Sequence, residues 1–451
     1  MREAMRAKTG ELHVHIGGCL TAEDLFELGR DAFEQIDWTL FVDSFEKAYG
    51  ERPDPAAIYR LGLDGSGADA LRPYCVYGAE EGGDFARFQA KFNFSICVFR
   101  HWWHVLSREG EVLTRIFEQH RREGVRYVEY RAMAPFGAEN PEGFIDFHAT
   151  MAHAIGKACG DGFTARYLIS LPRWQPLESY ALVRRLLAER ADLREVVVGL
   201  DLCYVEEGYP PESTRSFFRQ LHDDNAAQPA YPLEVAYHVG EVFFDKSLES
   251  AVRWCHEAAE LGAARLGHCT ALGLDPGSAV ARQPAAHTSE RASERVAQID
   301  YDLRYFDALR AYGVAVDGDR LRAERSALAA RPEQMHCRPY AQERLEDVRL
   351  RQSFVLDQLA ERAVVVETCP TSNLRIGAVP SADVHPVQRF LQSRVPLVIG
   401  ADDPGVFGCT LGSEIDWVLE YGGLGREALD ARLGDPLRHR FGRRGRTQSP
   451  D

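Results

Sequence analysis

Eight short runs of β-branched and apolar residues alternate with longer amphipathic stretches, and this alternation restricts the fold more than any other feature of the chain. The runs are Glu11–Ile16, Val125–Arg131, Ala165–Ser170, Val196–Leu202, Leu233–His238, Ala264–Gly267, Val364–Thr368 and Val395–Gly400. Between them lie segments such as Gly110–Glu123, Pro176–Ala191 and Ser247–Leu261, whose apolar residues recur near helical spacing. Strands alternating with helices predict parallel β/α architecture. Eight of them, with no G-x-G-x-x-G after the first, favour a (β/α)8 TIM barrel in the α/β class over an open dinucleotide-binding sheet.

Two segments exceed a minimal barrel. One, about residues 31–83, follows the first strand; the other, about residues 272–361, follows the sixth. Loops after barrel strands roof the active-site face, so both insertions are expected there, as surface elaboration, a lid or a homo-oligomer contact. Within the second, Asp275–Glu294 is rich in Pro, Ser, Ala and Gln and reads as exposed loop, while Val296–Leu359 is helical in pattern. Residues 1–437 thus read as one catalytic barrel and 438–451 as a basic tail, for which Arg438–Arg446 offers an RNA or phosphate contact as one reading and a solvated, disordered end as the favoured one.

With 451 residues and a formal net charge of −15, the chain is a poor partner for nucleic acid or anionic membranes. No apolar run approaches the roughly 20 residues of a membrane span, and Met1–Gly10 does not resemble a secretory signal. The 10 cysteines include no C-x-x-C pair, which reads as reduced thiols in a cytoplasmic protein.

The chemistry concentrates where the strands end. His13 and His15 are two apart on strand one and share a face. Strand five ends in His238, followed by Glu241; strand six ends in His268; strand eight ends in Asp402–Asp403–Pro404. Imidazoles and carboxylates at the C-terminal ends of separate barrel strands suit a first-row divalent metal such as zinc.

Taken together, Glu-Leu-His-Val-His at 11–15, His-Val-Gly-Glu at 238–241, Arg-Leu-Gly-His at 265–268, Cys-Pro-Thr-Ser-Asn at 369–373 and Asp-Asp-Pro at 402–404 resemble the adenosine deaminase family of the amidohydrolase superfamily. The resemblance implies one Zn2+ held by His13, His15, His238 and Asp402, with a water whose pKa the metal lowers to about 7. It makes Glu241 the proton donor to purine N1, and His268 the residue that orients the attacking hydroxide. Asp403, kept protonated beside Asp402, would hydrogen-bond purine N7. The implied reaction replaces the amino group at C6 of an adenosine-like purine with oxygen and releases ammonia. Glu367, Ser372 and Asn373 would support these groups. Asp84–Phe92 resembles the family's lid helix, with Phe88 and Phe92 over the substrate. The zinc deaminases of pyrimidines and nucleic acids use a different pattern, absent here.

The chain also departs from the family. Gly17 stands where an Asp usually meets the ribose 5′-hydroxyl, and Tyr204 replaces a glycine on the ribose side of the pocket. Losing that carboxylate removes a repulsion against 5′-anionic substituents, with an Arg or Lys from an insertion, or Arg173 just after strand three, as candidate cationic partners. A modified nucleoside or a free base is the equal reading of Gly17. Two alternatives stand beside the deaminase reading. One is a different amidohydrolase reaction on the same barrel; the other is a non-catalytic assembly protein built on the insertions.

Overall fold

A computed structural model describes residues 5–282 and 287–442. Eight parallel strands follow one another around a barrel: β1 (Gly10–His15), β2 (Tyr127–Met133), β3 (Thr164–Pro172), β4 (Val197–Cys203), β5 (Glu234–Val239), β6 (Arg265–His268), β9 (Val365–Thr368) and β10 (Leu397–Ile399). A separate antiparallel hairpin, β7 (His287–Arg291) and β8 (Met335–Pro339), lies between β6 and β9 in the chain. The expected barrel is therefore present. No helix among the described residues is long and apolar enough to cross a membrane.

Closure of the barrel falls at its chemically richest point. Just beyond β10, Asp402 bridges Val14: its N–H donates to the His13 carbonyl at 2.9 Å, and its carbonyl accepts from the His15 N–H at 2.8 Å. Strand β1 carries one extra residue against β2, since Glu11 pairs Val128 while Val14 pairs Tyr130. Such a bulge re-aims the side chains beside it. The Glu11 carboxylate braces this distortion, accepting from the His13 N–H at 2.8 Å and the Ala401 N–H at 3.0 Å.

The barrel interior is unusually ionic. Glu129, Arg131, Asp201, Arg265 and Glu367 are all fully buried. Arg131 reaches Glu367 at 2.6 Å and Asp201 at 3.3 Å, while Arg265 reaches Glu367 at 2.8 Å and also pairs with Glu129. Apolar clusters seal the N-terminal end beneath: Leu12, Tyr127, Val365 and Val398 against Leu437, and Leu168, Val198 and Ala236 with Phe441.

The assignment of residues 438–442 to a solvated tail is corrected by this plug; residues 443–451 lie outside the described residues. The Phe441 ring lies under the Arg265 guanidinium at 3.8 Å, and its N–H donates to Glu129 at 2.8 Å. Gly199 leaves room for it, because a Cβ there would sit 2.5 Å from the Phe441 ring. Burial of an aromatic side chain explains why this short basic segment is anchored. Phe441→Ala should lower stability by about 3–5 kcal/mol, read as the urea midpoint; an unchanged midpoint would remove the plug from the fold's energetics.

The two insertions differ in role. After β1, the Thr39–Tyr49 helix packs on the Phe85–Arg100 helix, the rings of Trp38 and Phe41 lying 4.9 and 5.0 Å from that of Phe94. This pins the longer helix over the C-terminal mouth of the barrel, where it forms a roof. After β6, the chain packs outside, against the Leu248–Leu261 helix. Its hairpin buries Glu290, which accepts from the Ser247 N–H at 3.1 Å, and Arg344 grips Glu249 at 2.7 and 3.0 Å. The stretch expected as exposed loop instead contains a helix at Pro276–Arg282 and strand β7. Glu290 is drawn in because it meets partners at Ser247 and Ser250, far away in the sequence.

Candidate active site

Four side chains converge at the C-terminal mouth. Donor atoms of His13, His15, His238 and Asp402 all lie within 4.8 Å of one another. The Nε2 atoms of His15 and His238 are 3.1 Å apart, and Asp402 Oδ1 lies 3.5 Å from His13 Nε2 and 3.4 Å from His15 Nε2. Carboxylates behind the rings orient them: His13 Nδ1 bonds Glu367 at 2.8 Å, and His238 Nδ1 faces Asp201 at 3.1 Å. With Nδ1 carrying the proton, each ring turns an Nε2 lone pair to the centre.

This donor set fits a divalent metal. His13 Nε2 is buried without a hydrogen-bond partner. Burial lowers His15 to about 4 and pushes His238 well below its ordinary value, leaving unprotonated nitrogens to face each other. A cation relieves that opposition, and three imidazoles with one carboxylate are a zinc-type set.

Beside the cluster, His268 Nε2 lies 3.5 Å from Glu241 Oε1 and 3.9 Å from Asp402 Oδ2, while its Nδ1 bonds Asn373 at 2.9 Å. His268 and Asp402 both adopt left-handed backbone, with φ of 65° and 62°. For residues other than glycine this costs about 1–3 kcal/mol each. The side chains are thereby turned over the strand ends. Burial raises the Glu241 carboxyl against the pull of His268. Burial, with Asp402 and Glu241 nearby, pushes Asp403 well above the carboxylate range. Both acids are thus disposed to hold a proton and to donate it. Gly18 makes the approach of Asp403 possible, because a Cβ at 18 would lie 1.9 Å from Asp403 Oδ1.

These groups face a cavity of about 350 Å3, within the range of small-molecule sites. Its roof is the Phe85–Arg100 helix, which contributes Phe88, Phe92, Ile96 and Arg100. Phe88 is held by a stacked Phe407 ring 5.1 Å away. Gly17 and the half-exposed Tyr204 also line the cavity. A Cβ at 17 would come 2.9 Å from the Ile96 side chain, so the roof occupies the space a larger residue would need. Among the described residues, the segment between β6 and β9 contributes nothing to the lining beyond the end of β6 itself.

Arg173 differs from expectation. It is buried, and its guanidinium donates to the carbonyls of Cys203 at 3.1 Å, Tyr204 at 3.3 Å and His238 at 2.6 Å. Nε and Nη2 are spent at the ends of β4 and β5, while Nη1 is buried without a hydrogen-bond partner. Arg173 thus holds the His238 backbone and is absent from the cavity lining. The exposed cation in the lining is Arg100, with no carboxylate in ion-pair distance among the described residues.

Three contributors escaped the sequence reading. Glu206 accepts from the N–H groups of Gly240 at 3.0 Å and Glu241 at 3.1 Å, fixing the turn that carries Glu241. It lies three residues beyond β4, so the strand-end rule applied to that strand would have found it. Asp201 and Arg131 act from within strands, and no local pattern marks them.

The family model for adenosine deaminase matches residues 65–285 and 342–435, well over half of the chain. An adenosine deaminase of Edwardsiella ictaluri is 23% identical over 428 residues, covering 93% of this chain and 89% of its own length. An aminodeoxyfutalosine deaminase of Streptomyces coelicolor is 40% identical over 75 residues, 17% of this chain and 19% of its own. Among solved structures, Arabidopsis ADAL complexed with IMP superposes with a TM-score of 0.54 at 16% identity, covering 97% of this chain and 93% of that one.

Proposed function

Because this chain belongs to the adenosine deaminase family of hydrolytic deaminases, we propose that it uses one Zn2+ to deaminate a 6-aminopurine nucleoside or nucleotide at C6. The observation that carries this reading is the convergence of His13, His15, His238 and Asp402 directly beside Glu241 and His268. When bound, the metal supplies a Lewis acid that brings the pKa of a water near 7. Glu241, protonated through its burial, donates to purine N1 and makes C6 electrophilic. His268, oriented by Asn373, accepts the proton of the attacking water. Asp403 donates to purine N7 and sets the ring's register, while Phe88 and Phe92 cover its face and exclude bulk water. The amino group then takes the proton held on His268 and leaves as ammonia, while the proton on the new C6 oxygen returns to Glu241.

The 5′ end of the substrate is the finer part of the proposal. Gly17 offers no carboxylate, and Arg100 lies farther along the same roof helix. Phe88 and Arg100 are twelve residues apart, about 18 Å of helix, so the lining runs well beyond a purine. A 5′-substituted purine, a nucleotide included, fits this arrangement. Ammonia release from a panel of adenine, adenosine, AMP and ATP tests both levels. No release from any of them by zinc-loaded protein would overturn the reaction. Any side chain at 17 presses on Ile96, so the charge effect is read against the neutral Gly17→Asn. Gly17→Asp should raise KM for the 5′-anionic members at least about tenfold above that chain, as close like charge costs on the order of 1–2 kcal/mol in a partly buried site. A strong preference for unsubstituted adenosine in the parent chain would overturn the 5′ assignment.

A further inference from the structure

The opposite mouth of the barrel holds a second cavity, of about 560 Å3, whose charge runs against that of the chain. It lies where β2, β3 and β4 begin, with Tyr127, Thr164 and Val197 in its wall and Phe441 along one side. Strand β3 spans nine residues, which puts about 25 Å between this end and the catalytic mouth. Four arginines line it, Arg126, Arg166, Arg194 and Arg440, against the single carboxylate of Glu195.

In a chain of net charge −15, many arginines lie within 4 Å of a carboxylate, as Arg52, Arg185 and Arg215 do. None of these four has such a partner among the described residues. Arg166, Arg194 and Arg440 are nonetheless tethered. Arg166 Nη1 donates to the Ala165 carbonyl at 2.8 Å, and Arg194 Nε donates to the Leu187 carbonyl at 2.9 Å. The Arg194 guanidinium lies 5.9 Å from the Tyr231 ring, and that of Arg440 lies 5.9 Å from the Tyr127 ring. Each guanidinium has five N–H donors, so these tethers leave most of them free.

Clustered like charge without counter-charge is unfavourable. Anchored guanidinium forks are the groups best suited to bind phosphate oxygens in pairs. We propose that this cavity is a binding site for a small phosphorylated ligand, separate from the catalytic centre. Its place at the strand starts, walled by Tyr127, Thr164, Val197 and Phe441, favours a compact anion over an extended polymer, which would need a basic stripe along the surface. Arg440 belongs to the basic stretch Arg438–Arg446, for which the sequence offers a phosphate contact beside a solvated tail.

Calorimetric titration with inorganic pyrophosphate tests the site. The proposal expects saturable 1:1 binding that persists in the His238→Ala chain, whose catalytic metal set is broken. Arg166→Ala and Arg194→Ala should each weaken binding at least about tenfold, as loss of charge-assisted hydrogen bonds does. Both should keep the parent unfolding midpoint and ammonia release. If either fails to fold, the exposed Arg126→Ala chain supplies the same comparison. Absence of saturable binding, equal binding by all the arginine variants, or loss of binding in His238→Ala would overturn the proposal. So would a single-stranded oligonucleotide that binds through these arginines more tightly than pyrophosphate.

Discussion

Glu241→Gln is expected to reduce ammonia release by about 10²–10⁴-fold, the range for losing a positioned general acid, with zinc content unchanged. Glu241 is not among the four converging donors; it stands beside them, 3.5 Å from His268. Gln preserves its length and its hydrogen-bonding shape, and Glu206 still grips the backbone N–H groups at 240 and 241. The substitution therefore removes an acidic proton and little else. Activity assays paired with metal analysis decide it. Zinc loss would place Glu241 among the ligands, and retained turnover would remove it from the chemistry. The same chain separates the rival readings, since a non-catalytic assembly protein would show no ammonia release before or after the change.

The second large effect is expected one layer deeper. Glu367 is fully buried: one oxygen bonds His13 Nδ1 at 2.8 Å and Arg131 at 2.6 Å, and the other forms an ion pair with Arg265 Nε at 2.8 Å. Against the upward push of burial, the two arginines hold its carboxyl well below the ordinary range. Glu367→Gln keeps the volume and removes the charge, leaving Arg131 and Arg265 short of one counter-ion in a site without solvent. Breaking a buried pair this way costs about 3–5 kcal/mol. Loss of the carboxylate behind a metal-facing imidazole costs about 10–100-fold in metal affinity. Urea midpoints of the metal-free chain read the first effect, and zinc competition against a chelator reads the second. If both stay at parent values, the ionic core is incidental to the site.

The sign of the pH dependence follows. A carboxyl depressed in the folded state contributes stability above its unfolded pKa, and that contribution fades as pH falls towards the folded one. Glu367 should therefore stabilise the chain at neutral pH and contribute to its loss in strong acid.

How far the site was legible can be followed residue by residue. His13, His15, His238, His268 and Asp402 were legible because a strand has a period of two and a barrel presents strand ends at one mouth. Phe88 and Phe92 were legible as a pattern, and the roof helix puts both over the cavity. Arg173 lies just after β3 as its position in the sequence requires, yet its side chain lies outside the cavity lining. Its long side chain turned to three carbonyls at the ends of β4 and β5, whose nearness no local pattern records. Arg100 was passed over for the complementary reason, being twelve residues along a helix whose docking angle depends on Trp38, Phe41 and Phe94.

The sequence by itself therefore determined the barrel, the family and the groups at its catalytic mouth, since these follow from short periodicities and from motifs a few residues long. Only the tertiary structure decided what holds those groups: the bulge in β1, the Glu367–Arg131–Arg265 network, and the Phe441 plug beneath it. It also decided that the later insertion packs outside the catalytic cavity. The physical reason is separation along the chain. Arg131 and Glu367 are 236 residues apart, and a buried charge is tolerable only where such distant partners meet.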